Sequence, residues 1–349
     1  MLLVFIMAGV LYGIGAVMGA PKSARWTMIF ILYLAVLGAN LVLPEGNGLR
    51  MATGESPALW LMIGGFVALA LVYGAGLNWL RSRAQPAEAP DAPEDDRLFS
   101  DTELNRYARH IVLREIGGLG QKRLKDARVL VIGAGGLGSP ALLYLAAAGV
   151  GTIGVVDDDV VDNSNLQRQV IHKDAGIGTP KVFSAQEAMQ AQNPFITVLP
   201  YNRRLSAEDA RVLIADYDLV LDGTDNFDTR YLVNRACVAA GKPLISGALS
   251  QWEGQLSVFD PANDAPCYQC VFPEAPAAGL APNCAEAGVL GPLPGVIGTM
   301  MAAEAIKQIT GAGMVLRGDM LIYDALYGET RKIAIKANPA CPVCGRDTA

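Results

Sequence analysis

The sequence predicts a doubly wound α/β domain with a mostly parallel sheet, set behind three membrane-spanning helices. Strand-like apolar runs alternate with helical stretches from Leu98 onward, the pattern of a sheet covered by helices. A glycine-rich turn joins one such strand to the next helix. The apolar excess, 52% hydrophobic residues and a mean hydropathy of +0.29, is concentrated in the first eighty residues.

Those residues hold three charge-poor runs, 2–20, 26–43 and 58–80. Each approaches the roughly 20 residues a helix needs to cross about 30 Å of hydrocarbon. Trp26, Trp60 and Trp79 stand near run ends, where aromatic side chains favour the membrane interface. The first run lacks a basic flank and two more follow, which disfavours a cleaved signal peptide. Lys22 and Arg25 lie between runs one and two, and Arg81 and Arg83 follow run three. Basic residues mark cytoplasmic segments, so the N-terminus is expected outside and the rest of the chain in the cytoplasm. The expected organisation is a membrane region at 1–83, a Pro/Ala/acidic linker at 84–97 and a catalytic domain at 98–349. The expected location is the cell inner membrane, multi-pass. A net charge of −6 argues against a nucleic-acid partner, which calls for a basic footprint.

In the catalytic domain, Ser100 and Glu103 form a capping-box pattern that opens a helix. ARVLVIG at 127–133 reads as a buried parallel strand, followed by a helix over 137–148. GTIGVVD at 151–157 and DLVLDGTD at 218–225 are further strands, and PLISGAL and GQLSVFD continue the pattern.

Gly133, Gly135, Gly136 and Gly138 fall in a G-x-G-x-x-G turn between strand and helix. Such glycines admit a ligand close to the backbone, and the helix N-terminus offers free N–H groups to phosphate. Asp157 ends the next strand, about 20 residues on, where a carboxylate takes ribose hydroxyls. Alone, this Rossmann-like feature says only nucleotide. Asn165, Arg168 and Lys181 follow, and two cations near the turn suit a triphosphate better than a nicotinamide. Asp222 and Asp225 sit at the carboxyl end of a strand, where Mg²⁺ can bridge carboxylate and phosphate. Either cation alone also reads as a surface residue, and either aspartate as a turn or cap residue.

Cys267-x-x-Cys270 and Cys341-x-x-Cys344 match a closed tetrahedral Zn²⁺ site with no open position. A disulfide is the alternative, disfavoured in a reducing cytoplasm. Cys284 stands apart in a Gly/Pro-flanked loop and reads equally as nucleophile or small apolar residue. Cys237, within VNRACVAAG, reads as core. His110 and His172 read as local hydrogen-bonding groups.

RYARHIVL, GAGGLGS, SNLQRQ, GTPK, DGTDN, the two cysteine pairs and CAEAGVLGP occur together and in order. From about Leu98 to Arg346 the chain resembles the ubiquitin-activating-enzyme-like adenylyltransferases of molybdopterin and thiamine biosynthesis, most nearly the molybdopterin-synthase branch. The resemblance implies an E1-like adenylation domain that uses ATP and Mg²⁺ to activate the C-terminal glycine of a ubiquitin-like sulfur carrier. It implies that Gly136, Asn165, Arg168 and Lys181 meet the phosphates and Asp157 the ribose. It places Mg²⁺ at Asp225, beside Asn226. Arg109 matches an arginine that reaches the neighbouring subunit's nucleotide, which implies a homodimer. Cys284 matches a loop cysteine that in some members takes part in sulfur transfer. The membrane runs depart from the family pattern. Only five residues follow Cys344, so sulfur is expected from a separate protein such as a cysteine desulfurase or sulfurtransferase. The alternatives are a thiamine sulfur carrier as substrate, small-molecule activation, a non-enzymatic membrane scaffold that docks a carrier, or an NAD(P)-dependent oxidoreductase.

Overall fold

The computed structural model describes residues 2–84, 97–276 and 287–345. It divides into two compact units, Met1–Asp95 and Asp96–Ala349. The expected linker falls almost wholly on 85–96, outside the described residues, as does Cys284.

The first unit is helical: α1 (Leu2–Val17), α2 (Lys22–Val42), α3 (Gly48–Thr53) and α4 (Pro57–Ala84). Among the described residues two stretches, Lys22–Val42 and Pro57–Leu77, are long and apolar enough to cross a membrane, with mean hydropathies of 1.6 and 2.0. The first run differs from expectation. It forms a helix of 16 residues, which at 1.5 Å per residue gives about 24 Å against the roughly 30 Å of a bilayer core. Gly19, at φ +70°, and Pro21 end it, since neither continues a right-handed helix well.

The buried core of this unit is small, Val4, Val36 and Trp60, while Phe30, Ile31, Phe66, Leu69, Leu71 and Val72 stand exposed. The helices of this unit therefore leave most of their apolar side chains outside its small core. The short α3 was not foreseen. Thr53 at its end receives the Asn40 amide at 2.8 Å on its hydroxyl and the Trp60 indole N–H at 3.0 Å on its carbonyl.

The second unit opens with α5 (Asp101–Ile111), carrying the expected capping box at Ser100 and Glu103, and α6 (Gly117–Asp126). Then come β1 (Arg128–Ile132), α7 (Gly138–Ala148), β2 (Thr152–Asp157), α8 (Lys181–Gln192), β3 (Thr197–Asn202), α9 (Ala207–Ala215), β4 (Leu219–Asp222) and α10 (Phe227–Ala240). They are followed by β5 (Leu244–Leu249), β6 (Glu253–Phe259), α11 (Tyr268–Val271), α12 (Pro292–Thr310), β7 (Asp319–Asp324) and β8 (Glu329–Ala334).

Among the described residues the sheet runs β3-β2-β1-β4-β5-β6-β7-β8. The first five strands pair in parallel and the last three add on antiparallel. Strand β1 shows why the chain folds this way. Val129 and Val131 enter one core with residues of α7, α8 and α12, whereas Leu130 and Ile132 enter another with residues of α9 and α10. A strand apolar on both faces must be covered on both. The strand order reverses between β1 and β4, and a doubly wound sheet opens its ligand crevice at that point.

Candidate nucleotide site and tetra-cysteine centre

The crevice begins at the glycine turn. Gly133 has φ +94°, a left-handed value that favours glycine. A Cβ there would stand 3.2 Å from the Gly223 carbonyl, so the loops after β1 and β4 touch. A Cβ on Gly138 would stand 1.9 Å from the Gly133 carbonyl oxygen, and one on Gly136 would meet Pro294 of α12 at 3.0 Å. Gly135 alone of the four leaves room: its nearest neighbour would be the Gln169 amide nitrogen at 3.6 Å.

Side chains clamp this turn. Asp157 accepts the Ala134 N–H at 2.7 Å and the Asp159 N–H at 2.9 Å. Burial raises the Asp157 pKa, while the charge of Lys181 and those two N–H groups draw it down. On the other side, His172 Nε2–H donates to the Ala134 carbonyl at 2.9 Å, and His172 Nδ1 accepts from the Ser184 hydroxyl at 2.9 Å. Burial holds His172 below its ordinary pKa. The reading of His172 as a local hydrogen-bonding group stands; the buried Nδ1 of His110 has no such partner among the described residues.

Gly133, Gly135, Gly136, Asp157, Arg168, Lys181, Asp225 and Asn226 all line one cleft of about 620 Å³. Arg168 is held by Asn165, whose side-chain oxygen accepts from Nη2 at 2.8 Å, and by the Ser164 carbonyl at 3.1 Å. Asn165 therefore orients a cleft residue without lining the cleft. Lys181 is 4% exposed and pairs with Asp159 at 2.7 Å. Asp225 presents an exposed carboxylate, and Asn226 caps α10 by accepting the Thr229 N–H at 2.9 Å. Gly138 lies behind the turn at the start of α7. Arg109 is exposed on α5 and lines no part of the cleft. Asp222 is fully buried and serves as a turn aspartate, accepting the Thr224 N–H at 3.0 Å and its hydroxyl at 2.7 Å.

Residues the motifs did not single out also line the cleft. Arg230 is buried, donates to Ser246 at 3.0 Å and to the carbonyls of Gly247 and Thr224, and lies 3.5 Å from Asp222. A sequence signal existed for it: Arg230, Val233, Asn234 and Cys237 follow the helical spacing of a buried stripe, and all four are buried. Gln169 ends the SNLQRQ motif but was given no role of its own, and Asp159 carried no signal.

The four paired cysteines meet. Their Sγ atoms lie 3.8 Å (Cys267–Cys270), 3.6 Å (Cys267–Cys341) and 3.3 Å (Cys270–Cys344) apart. All four lie within 4.8 Å of one another. A tetrahedron with sulfur about 2.3 Å from zinc has edges of about 3.8 Å, so both donor set and spacing fit. The Asn234 amide donates to Cys267 Sγ at 3.7 Å while its oxygen accepts the Tyr268 N–H at 2.9 Å, fixing the first pair from α10. Cys237 is buried in the core as expected, and burial pushes its thiol pKa far up.

A switch-point crevice with a phosphate-facing glycine turn and two cations defines a nucleotide-binding α/β enzyme. The model of the ThiF family matches residues 107–343. The chain is 51% identical over 251 residues to the sulfur carrier protein adenylyltransferase of Thermus thermophilus, covering 71% of this chain and 93% of that protein. It is 53% identical over 258 residues to the probable adenylyltransferase/sulfurtransferase MoeZ of Mycobacterium tuberculosis, covering 72% of this chain but 65% of that longer protein. The chain belongs to the ThiF family, and it is by class an ATP-dependent adenylyltransferase. In fold it matches E. coli MccB, solved with ATP, at a TM-score of 0.60 and 24% identity over 69% of this chain and 75% of that one.

Proposed function

We propose that this enzyme adenylates the C-terminal glycine carboxylate of a ubiquitin-like sulfur-carrier protein. The carrying observation is the single cleft in which the glycine turn, Arg168, Lys181 and Asp225 converge. The names of the relatives supply the substrate class.

The carrier's carboxylate is already ionised, so no general base is needed. Its oxygen attacks the α-phosphorus, the bond to the bridging oxygen breaks, and pyrophosphate leaves. The turn's backbone, with Gly135 and Gly136 at the cleft, receives the phosphates, and Asp157 takes the ribose. Arg168 and Lys181 offset charge building on the leaving group, the kind of stabilisation that is strongest in a preorganised site. Lys181 exchanges Asp159 for phosphate as nucleotide enters. Asp225 would hold Mg²⁺, which neutralises phosphate charge; a single carboxylate with phosphates and water is its usual ligand set. Arg109 of a second copy completes the site in a homodimer. The four cysteines would hold structural Zn²⁺, the acyl-adenylate passes to a separate sulfur donor, and Cys284 keeps both readings, sulfur-transfer nucleophile or small apolar loop residue.

Between carriers, the molybdopterin-synthase small subunit is preferred over the thiamine sulfur carrier because the sequence resembles that branch most nearly. Two apolar, laterally exposed helices support anchorage in the cell inner membrane, with Lys22, Arg25, Arg81 and Arg83 keeping the catalytic unit cytoplasmic. Carrier-dependent exchange of labelled pyrophosphate into ATP tests the reaction. Arg168→Ala and Asp225→Ala are each expected to lower exchange about a hundredfold or more; wild-type exchange in both would overturn the site.

A further inference from the structure

Gln169 follows Arg168 directly, yet its side chain is handled differently. Arg168 is tied to Asn165 and the Ser164 carbonyl. Gln169 is 5% exposed and lines the cleft, and its Oε1 has no hydrogen-bond partner among the described residues. The backbone around it is fixed: its N–H donates to the Asn165 carbonyl at 3.0 Å and its carbonyl accepts from His172 at 3.1 Å. The amide is thus presented from a rigid turn, while its own polar atoms are not used to hold that turn.

Leaving a buried polar group unpaired costs stability. An apolar side chain of the same length would avoid that cost, so a purely structural role gives no reason for an amide here. The direction of the side chain supplies one. Its Nε2 lies on the Gly135 side, 3.6 Å from where a Cβ on that glycine would be. Gly135 is the glycine of the turn that leaves open space, and the second glycine of such a turn is where phosphate approaches the backbone.

We propose that Gln169 is a further nucleotide-binding residue, whose Nε2–H donates to a phosphoryl oxygen of ATP beside Gly135. The assignment rests on the proposed function above. It adds an uncharged donor to a cleft that already holds two cations. Arg168 and Lys181 attract phosphate from a distance, whereas a neutral amide contributes only in register, and so fixes where along the turn the phosphate chain rests.

The test uses the full chain in detergent, with ATP and magnesium titrated calorimetrically and melting measured without nucleotide. Gln169→Met keeps length and loses both polar atoms. It is expected to weaken ATP binding about tenfold or more, raise the KM for ATP in the exchange assay and leave kcat within about twofold, with melting unchanged or higher. Gln169→Glu places a carboxylate against the phosphates and is expected to bind ATP more weakly still. Wild-type affinity in either variant, or a melting temperature in Gln169→Met several degrees below wild type, overturns the contact; the latter result marks the amide as a packing residue. A wild-type chain that binds no ATP overturns the proposed function and this contact together.

Discussion

At the scale of the residue, His172 makes two hydrogen bonds that require a neutral ring, one into the glycine turn and one to Ser184. Its pKa is held below the ordinary 6.5 by burial, so the unfolded chain takes up the proton first. Its contribution to stability is complete above about 6.5 and is lost as pH falls through the lower native value. Melting temperatures taken between pH 7.5 and 5.5 are expected to fall for the wild type and to fall less for His172→Gln; parallel profiles would remove His172 from this role. Arg168, Lys181 and Asp225, each of which alone also reads as a surface or cap residue, were legible as neighbours only through the motifs that carry them, and the fold brings all three to one cleft. Asp157 was legible as a position but not as a partner, since its hydrogen bonds to the Ala134 and Asp159 N–H groups depend on how the loop folds back. Arg230 was missed because its meaning lies in burial, which local spacing signals only faintly, and Gln169, though inside the SNLQRQ motif, was passed over for its charged neighbour Arg168.

At the scale of the element, the strand–turn–helix from β1 to α7 is tightly constrained. A methyl group on Gly138 would overlap the Gly133 carbonyl oxygen. Because both atoms belong to backbone, no rotamer change relieves the clash. Gly138→Ala is expected to cost about 3 kcal/mol in denaturant unfolding and to abolish ATP binding; a loss below about 0.5 kcal/mol would contradict the close approach. Strands β1, β2, β5 and β6 were legible within a residue and β4 at its start, because they are largely apolar, whereas β3 and β7 were not read. Strand β8 was not, because every one of its residues is exposed and its sequence ETRKIA lacks an apolar run. Its place comes from pairing with β7, a tertiary fact. The first apolar run differs in the opposite way: composition marked a span, while its helix is 16 residues long and stops before Gly19 and Pro21.

At the scale of the whole molecule, the chain joins an apolar helical unit to a catalytic one, and each is consistent with a different solvent. After lysis without detergent, the full chain is expected to sediment with membranes and to resist alkaline carbonate, whereas residues 98–349 stay in the supernatant. Release of the full chain by carbonate would exclude a spanning anchor. The family motifs made the catalytic unit legible as a member of the family; the first unit was legible only as hydrophobicity, because its apolar helices carry no motif to read.

The tetra-cysteine centre has a further consequence in polymer terms. Cys267 and Cys341 are 74 positions apart in sequence, and the segment between them includes α12, whose Pro294 backs Gly136. A metal held by these thiolates closes that segment into a ring and removes loop-closure freedom worth roughly 4 kcal/mol from the unfolded ensemble. The wall behind the glycine turn would then be part of a macrocycle, its persistence tied to an ion on which four thiolates leave no open position for chemistry.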